Sequence, residues 1–338
     1  MKKSILVCYC TCISLWNALA QDQKNQFHPG EIWYDLSNQP INAHGGGILE
    51  YKQVYYWFGE IKKGKTWKVP NVNTWEDYRV KAGGVSCYSS TDLIHWKNLG
   101  VALAPETDDA HHDLHTSKVI ERPKVIYNEL THHFVMWMHI DKDDYSYAHM
   151  GVAISTRPEG PYIYLGSMRP NGQSSRDMTL FKDDDGKAYL IYSSEDNKTM
   201  QICLLTEDYL KPTTTYKRIL INANREAPAV FKYKGKYYLI SSLCTGWDPN
   251  QALYAEADDI LGDWTMKDNP CRGTGADKTY EAQSTFVFPV SGKENSYIFM
   301  ADRWNKTDLE NSRYLWLPLH FENGIPVIEW KKSWSLGE

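Results

Sequence analysis

Arg225-Glu226-Ala227-Pro228-Ala229-Val230-Phe231 runs directly into Lys232-Tyr233-Lys234-Gly235-Lys236-Tyr237-Tyr238-Leu239-Ile240. The first stretch opens with an acid and a proline and continues as a short apolar strand. The second turns at a glycine and returns as an aromatic strand. The same plan occurs five times. His44-Gly45-Gly46-Gly47-Ile48-Leu49 leads to Tyr55-Tyr56-Trp57-Phe58, and Glu121-Arg122-Pro123-Lys124-Val125-Ile126 leads to Phe134-Val135-Met136-Trp137. Arg176-Asp177-Met178-Thr179-Leu180-Phe181 leads to Ala188-Tyr189-Leu190-Ile191-Tyr192, and Gln283-Ser284-Thr285-Phe286-Val287-Phe288 leads to Tyr297-Ile298-Phe299-Met300. With His44, Glu121, Asp177, Glu226 and Gln283 as markers, the intervals are 77, 56, 49 and 57 residues. A repeat of this size made of strands and turns predicts an all-β fold, a five-bladed β-propeller.

A third strand recurs as well. Gly84 to Ser90, Val152 to Ser155, Ile202 to Thr206 and Leu253 to Ala257 alternate with period two and end in a Ser/Thr/Asp turn or a tight bend. The segments 313–319 and 324–330 supply the outer strands of the fifth blade. Each blade is therefore expected to hold an inner strand, two middle strands and an outer one. Gln26 to Pro40 reads as a lead-in packed on the propeller side. Ile61 to Gly83 is a Lys-rich insertion carrying Trp67, Trp75 and Tyr78, of a length that is usually functional or disordered. No linker marks a second domain.

The N-terminus stands apart from the repeats. Met1-Lys2-Lys3 is basic, Ile5 to Trp16 is largely apolar, and Ala18-Leu19-Ala20 offers small residues before Gln21. These are the three parts of a secretory signal peptide over 1–20, so the propeller spans 21–338 and the protein is expected in the periplasm or outside the cell. The apolar run is too short to span a bilayer. Of seven cysteines, Cys87, Cys203, Cys244 and Cys271 would remain, without a C-x-x-C pair. Buried thiols are favoured, and one or two disulfides are permitted.

Net charge is −5, and no basic run interleaves with aromatics, which excludes a nucleic-acid groove. Thirteen Trp and 23 Tyr exceed what packing between blades needs and suit stacking against sugar faces. In a propeller the first residues of each inner strand open on one end of the central channel. His44, Glu121, Asp177, Glu226 and Gln283 are thus predicted to meet in one pocket, with Arg122 and Arg176 beside them. Three carboxyl groups on one axis cannot all ionise cheaply, and one raised pKa gives a general acid at neutral pH.

These residues resemble glycoside hydrolase family 43, a family of five-bladed propellers. Ser90-x-Asp92-Leu93-x-x-Trp96 and Glu226-Ala227-Pro228 fit the family at large. The stretches 43–48, 56–60, 120–128, 175–186, Thr245-Gly246-Trp247-Asp248-Pro249-Asn250 and 283–287 are similar to its exo-β-1,3-galactanase branch. The resemblance implies single-displacement hydrolysis with inversion, two groups standing about 6.5–9.5 Å apart so that water fits between them. It makes Glu226 the general acid and Asp177 the residue that raises the acid's pKa. Glu121, Arg122 and Tyr145 would hold the terminal galactose, Trp247 would be a sugar platform, and Glu60 a further partner for a sugar hydroxyl. Where most of the family begins blade one with a basic aspartate, this chain has His44-Gly45-Gly46-Gly47. The branch's substitute is the glutamine that Gln283 matches, acting as a tautomer, while Glu121 or a water network is the alternative base.

Blander readings stand beside these. Asp177 could simply pair with Arg176 or Arg122, and His44 could bind water, a cation or a sugar. His111-His112-x-x-His115 lacks metal-ligand spacing and reads as a solvated loop. Asp183-Asp184-Asp185-Gly186 lacks the later ligands of a calcium loop and reads as a hairpin turn. No metal is assigned and no cofactor is required, with a structural calcium left open. The expected partner is β-1,3-galactan, the backbone of arabinogalactan, acted on by a monomer. The alternatives are another exo-glycosidase of the family (arabinofuranosidase, xylosidase or galactofuranosidase) and a propeller that binds galactan without turnover.

Overall fold

A computed structural model describes residues 25–70 and 78–336. The expected signal peptide and Trp75 lie outside them. Four of the five blades are four-stranded antiparallel sheets in sequence order from the axis outward. Blade one is His44–Tyr51, Val54–Lys62, Ala82–Ser90 and Lys97–Leu103; blade two is Val119–Asn128, His133–Asp141, His149–Ser155 and Ile163–Met168. Blade three is Met178–Lys182, Ala188–Ser194, Thr199–Leu205 and Pro212–Ile219, and blade four is Arg225–Tyr233, Lys236–Leu243, Leu253–Ala257 and Thr265–Met266. Blade five is Gln283–Pro289, Tyr297–Arg303, Arg313–Glu322 and Ile325–Glu329. It departs from the repeat, because Cys271–Arg272 adds a fifth strand parallel to its outer edge. The insertion of blade one carries a small hairpin, Trp67–Lys68 against Tyr78–Arg79. The only helical pieces among the described residues are short 3-10 turns.

Alternation puts one face of each sheet against each neighbouring blade, so the interior is five separate aromatic and aliphatic layers. The layer between blades five and one is the richest in tryptophan. Trp57, Trp96 and Trp316 are fully buried there, and Phe27 and Trp334 stack at 4.2 Å. Phe27 and Trp334 also exchange backbone hydrogen bonds of 2.8 and 3.2 Å, so the lead-in clasps the end of the chain and closes the ring. The Ser90-x-Asp92 turn is explained locally. Ser90 Oγ accepts from Leu93 N, Asp92 Oδ1 accepts from Ile94 N and His95 N, and buried Trp96 donates to Leu93 O. Asp183 to Gly186 is the hairpin turn read from the sequence, and the four described cysteines are free, Cys244 alone being only half-buried.

Candidate active site

The side chains at the mouth of the channel are aimed by a repeated backbone irregularity. In blades one, two and four the residue after the marker has a left-handed φ: Gly45 at 56°, Arg122 at 56° and Ala227 at 54°. Each lies in a β-bulge where two residues of the inner strand face one of its neighbour. Blade five carries a bulge one step later. A bulge bends its strand and re-aims a side chain, and left-handed backbone at a non-glycine is a strain that persists only where the surroundings enforce it. At Gly45 a side chain is excluded twice, by φ and because a Cβ would stand 2.5 Å from Glu60 Oε1. At Gly47 a Cβ would meet the Lys124 stem at 2.6 Å.

The pocket gathers all eight residues singled out from the sequence: Glu226, Gln283, Asp177, Glu121, Arg122, Tyr145, Trp247 and Glu60. His44 is the exception among the five markers. Its ring is buried, stacks on Tyr314 at 4.8 Å, and places Nδ1 3.1 Å from Asp302 Oδ1. Asp302 also accepts from Gly45 N at 3.1 Å, so the bulge and this carboxylate draw His44 behind the pocket wall. Its cross-strand partner Glu60 reaches the pocket instead.

Arg122 ties the acid side together. Its Nε and Nη2 grip the Asp177 carboxylate at 3.1 and 2.9 Å, Nη1 donates to Ser284 O at 3.0 Å, and Nη2 donates to Gln283 Oε1 at 2.6 Å. Asp177 also accepts from Ala227 N at 3.0 Å, which fixes it beside Glu226. Glu226 accepts from Gln283 Nε2 at 2.9 Å and Asn197 Nδ2 at 3.1 Å. Burial, and then the nearby charge of Asp177, push its carboxyl up to about 8 despite Arg122. Gln283 is fully engaged: its oxygen accepts from Arg122 and from Trp304 Nε1 at 3.0 Å, and its nitrogen donates to Glu226 and to Ser242 Oγ at 3.0 Å.

The opposite side is organised around Glu121. Tyr145 Oη donates to it at 2.9 and 3.0 Å, Lys62 Nζ lies 3.8 Å away, and the His139 ring faces it across the strand pair at 3.4 Å. Burial works against its charge, yet the His139 contact and the Lys62 charge outweigh burial and hold Glu121 well below the usual carboxylate range. Lys62 pairs with Glu60 at 2.9 Å. Burial nonetheless pushes Glu60 up to about 8. Two acids in one pocket are thus driven in opposite directions, the arrangement that separates a proton donor from a permanent anion. Trp247 and Trp304 meet edge to face at 5.2 Å and form an aromatic corner under the Lys62 ammonium.

His139, Asp302, Lys62, Asn197 and Trp304 were not reached from the sequence. A signal for two of them exists: Glu60, His139 and Asp302 all pair across from a marker at the end of an aromatic second strand. Oxygen and nitrogen atoms of Glu121, His139 and Asp177 lie within 4.8 Å of one another. In that set the Asp177 carboxylate is already held by Arg122, and the His139 ring stands between Glu121 and Asp141.

The sequence model of glycosyl hydrolases family 43 matches residues 53–330. Among solved structures, the chain is 43% identical to a family 43 β-1,3-galactosidase, covering 92% of this chain and 64% of that one at a TM-score of 0.85. A second β-1,3-galactosidase, bound to galactodeoxynojirimycin, is 41% identical over 92% of this chain and 100% of its own, with a TM-score of 0.84. An exo-β-1,3-galactanase from Phanerochaete chrysosporium, solved with β-1,3-galactotriose, is 36% identical over 92% of this chain and 68% of its own, at 0.82. Curated relatives match more narrowly: the chain aligns with half the length of one and 35% of another.

Proposed function

The chain belongs to glycosyl hydrolase family 43, and from that premise we propose that it is an inverting exo-enzyme releasing galactose from the non-reducing end of β-1,3-galactan. The observation that carries the reading is the pair of opposed carboxyls, Glu226 pushed up to about 8 and Glu121 held far below its usual range. A carboxyl that keeps its proton at neutral pH can deliver it to the leaving glycosidic oxygen as that bond breaks. Asp177 supports this by placing negative charge beside Glu226, and its fixed contacts with Arg122 and Ala227 keep it there.

Glu121, Arg122, Tyr145 and Glu60 supply acceptors and donors for the hydroxyls of one terminal sugar, with Trp247 and Trp304 offering ring faces. An anion as firmly held as Glu121 is a weak proton acceptor. It suits anchoring hydroxyls and stabilising the positive charge that develops on the sugar ring. Gln283 is the candidate for activating water, and both ends of its amide are engaged by protein groups, so that role requires its contacts to rearrange on binding. Loss of turnover in Gln283→Ala with galactose binding retained would support that role; near-normal turnover would remove it. Export is part of the same proposal, resting on the basic start and apolar run of residues 1–20. No helix among the described residues is long and apolar enough to cross a membrane.

The experiment is product analysis with β-1,3-galactotriose, comparing wild type with Glu226→Gln. Galactose released by wild type, first as the α anomer by NMR, and lost in the variant supports substrate, stereochemistry and acid together. No release from galactan oligosaccharides by wild type would overturn the substrate. A panel of arabinosides, xylosides and galactofuranosides would then identify the sugar.

A further inference from the structure

The pocket wall behind Glu121 contains a buried charge relay. His139 is fully buried, its Nε2 lies 2.9 Å from Asp141 Oδ2, and its Nδ1 faces Glu121 Oε2 at 3.4 Å, an ion-pair distance longer than a formed hydrogen bond. Asp141 is fully buried too, and it cannot turn away. Its Oδ1 accepts from the backbone N–H groups of Lys142, Tyr147 and Ala148 at 2.9, 2.8 and 3.0 Å. Those three bonds also shape the loop that presents Tyr145, whose φ of 56° is left-handed and whose hydroxyl closes on Glu121. Asp141 therefore reaches Glu121 by two routes, through the imidazole and through the loop.

We infer that His139, clamped between Asp141 and Glu121, is a positioning residue that holds Glu121 as a fixed anion against the sugar. The inference rests on the galactosidase reading of this pocket and deepens it. With Asp141 and Glu121 both ionised in the interior, a neutral imidazole would leave two buried carboxylates sharing too little positive charge, and an unpaired buried charge is costly. Burial alone would lower the ring's pKa, but its contacts with Asp141 and Glu121 raise it to about 9. The other groups near the ring are Tyr145, with ring centroids 5.7 Å apart, and Asp177, which is neutralised by Arg122. Lys62 and Arg79 act on Glu121 and Tyr145 from the blade-one side. The cross-strand ring nitrogen is thus the contact on Glu121 supplied by its own sheet, where substrate cannot displace it.

The test compares kcat/KM for β-1,3-galactotriose from pH 4 to 9 in wild type and His139→Gln, alongside thermal unfolding. Removing a cation beside a carboxylate raises that carboxylate's pKa. Wild-type Glu121 stays ionised across this range, so an acid limb absent from wild type is expected to appear within it for His139→Gln, with activity recovering towards neutral pH. A variant that unfolds at lower temperature but whose pH profile superimposes on wild type overturns the inference and leaves the functional reading intact. No turnover by wild type overturns both. Should the variant not fold, 15N-histidine NMR of wild type decides: a ring protonated on both nitrogens at pH 7 supports the relay, and a neutral tautomer overturns it.

Discussion

The two mouths of the central channel are made by the same five inner strands and differ in chemistry. The far mouth is a funnel of about 710 Å³ whose lining mixes Ile48, Val125, Leu180, Val230 and Val287 with aromatic rings and with charged side chains such as Glu50, Glu129, Lys182 and Lys232. The near mouth has a cavity of about 70 Å³, lined by carboxyls, arginines, a histidine, a tyrosine, two amides and two tryptophans. The difference arises at the strand starts. Bulges in four blades turn polar side chains inward at the near end, while the far ends pair regularly and keep their apolar residues in the layers between blades. A large cavity records only missing atoms, whereas chemistry requires desolvated groups whose protonation is set by neighbours. The smaller mouth is the candidate site.

Lys124 divides the two. Its stem lines the far funnel, and its ammonium donates to Gly45 O at 2.8 Å on the side of the near mouth. Burial, together with the Arg122 charge, lowers its pKa to about 7.

Four measurements would break or sharpen this contrast. The largest effect belongs to the near mouth: Glu226→Gln should cut kcat for galactose release by about 10²–10⁴, the usual worth of a positioned acid. In wild type kcat/KM should fall as pH rises through about 8, where Glu226 loses its proton. Asp177→Asn removes a charge that favours that proton, so the alkaline limb should move down by about one unit. At the divide, the folded pKa of Lys124 lies below its unfolded value of about 10.4, so the unfolded chain binds more protons between about pH 7 and 10. Wild type should therefore gain stability relative to Lys124→Met as pH rises from 6.5 to 9.5, read from melting curves of both proteins. The smallest effect is expected at the far mouth. Lys234→Ala and Tyr127→Phe should leave kcat/KM within about twofold, since surface changes away from such features are nearly neutral; a larger loss would give the funnel a part in the reaction.

The repeat was legible because each blade must bury an aromatic second strand next to its inner strand, and that pairing leaves a period in the sequence. Glu121, Asp177, Glu226 and Gln283 were legible for the same reason: each lies within two residues of the start of an inner strand. His44 was misplaced because a bulge, which no residue pattern announces apart from its glycines, swings it towards Asp302. Tyr145 and Trp247 lie in loops, and only resemblance pointed to them. His139 and Lys124 were missed for a more general reason. A histidine or lysine inside a strand reads as a solvated residue unless its buried partners are known, and those partners are distant in sequence or across a sheet. The fifth strand of blade five is two residues long and parallel, too short for any alternation to reveal.

Four of the five junctions between blades are crossed by continuous chain; the junction of blades five and one is closed instead by the Phe27–Trp334 clasp, its tryptophan layer and side-chain hydrogen bonds such as Tyr314 Oη to Ile41 O. That seam also carries His44 against Asp302 and Thr285 Oγ1 against Gly46 O, directly behind Gln283. A ring with one seam opens there first, and here the seam runs through the wall of the candidate site. Heat that parts the first blade from the last would dismantle the site in the same motion, so tryptophan fluorescence and galactose release are expected to decay along one curve.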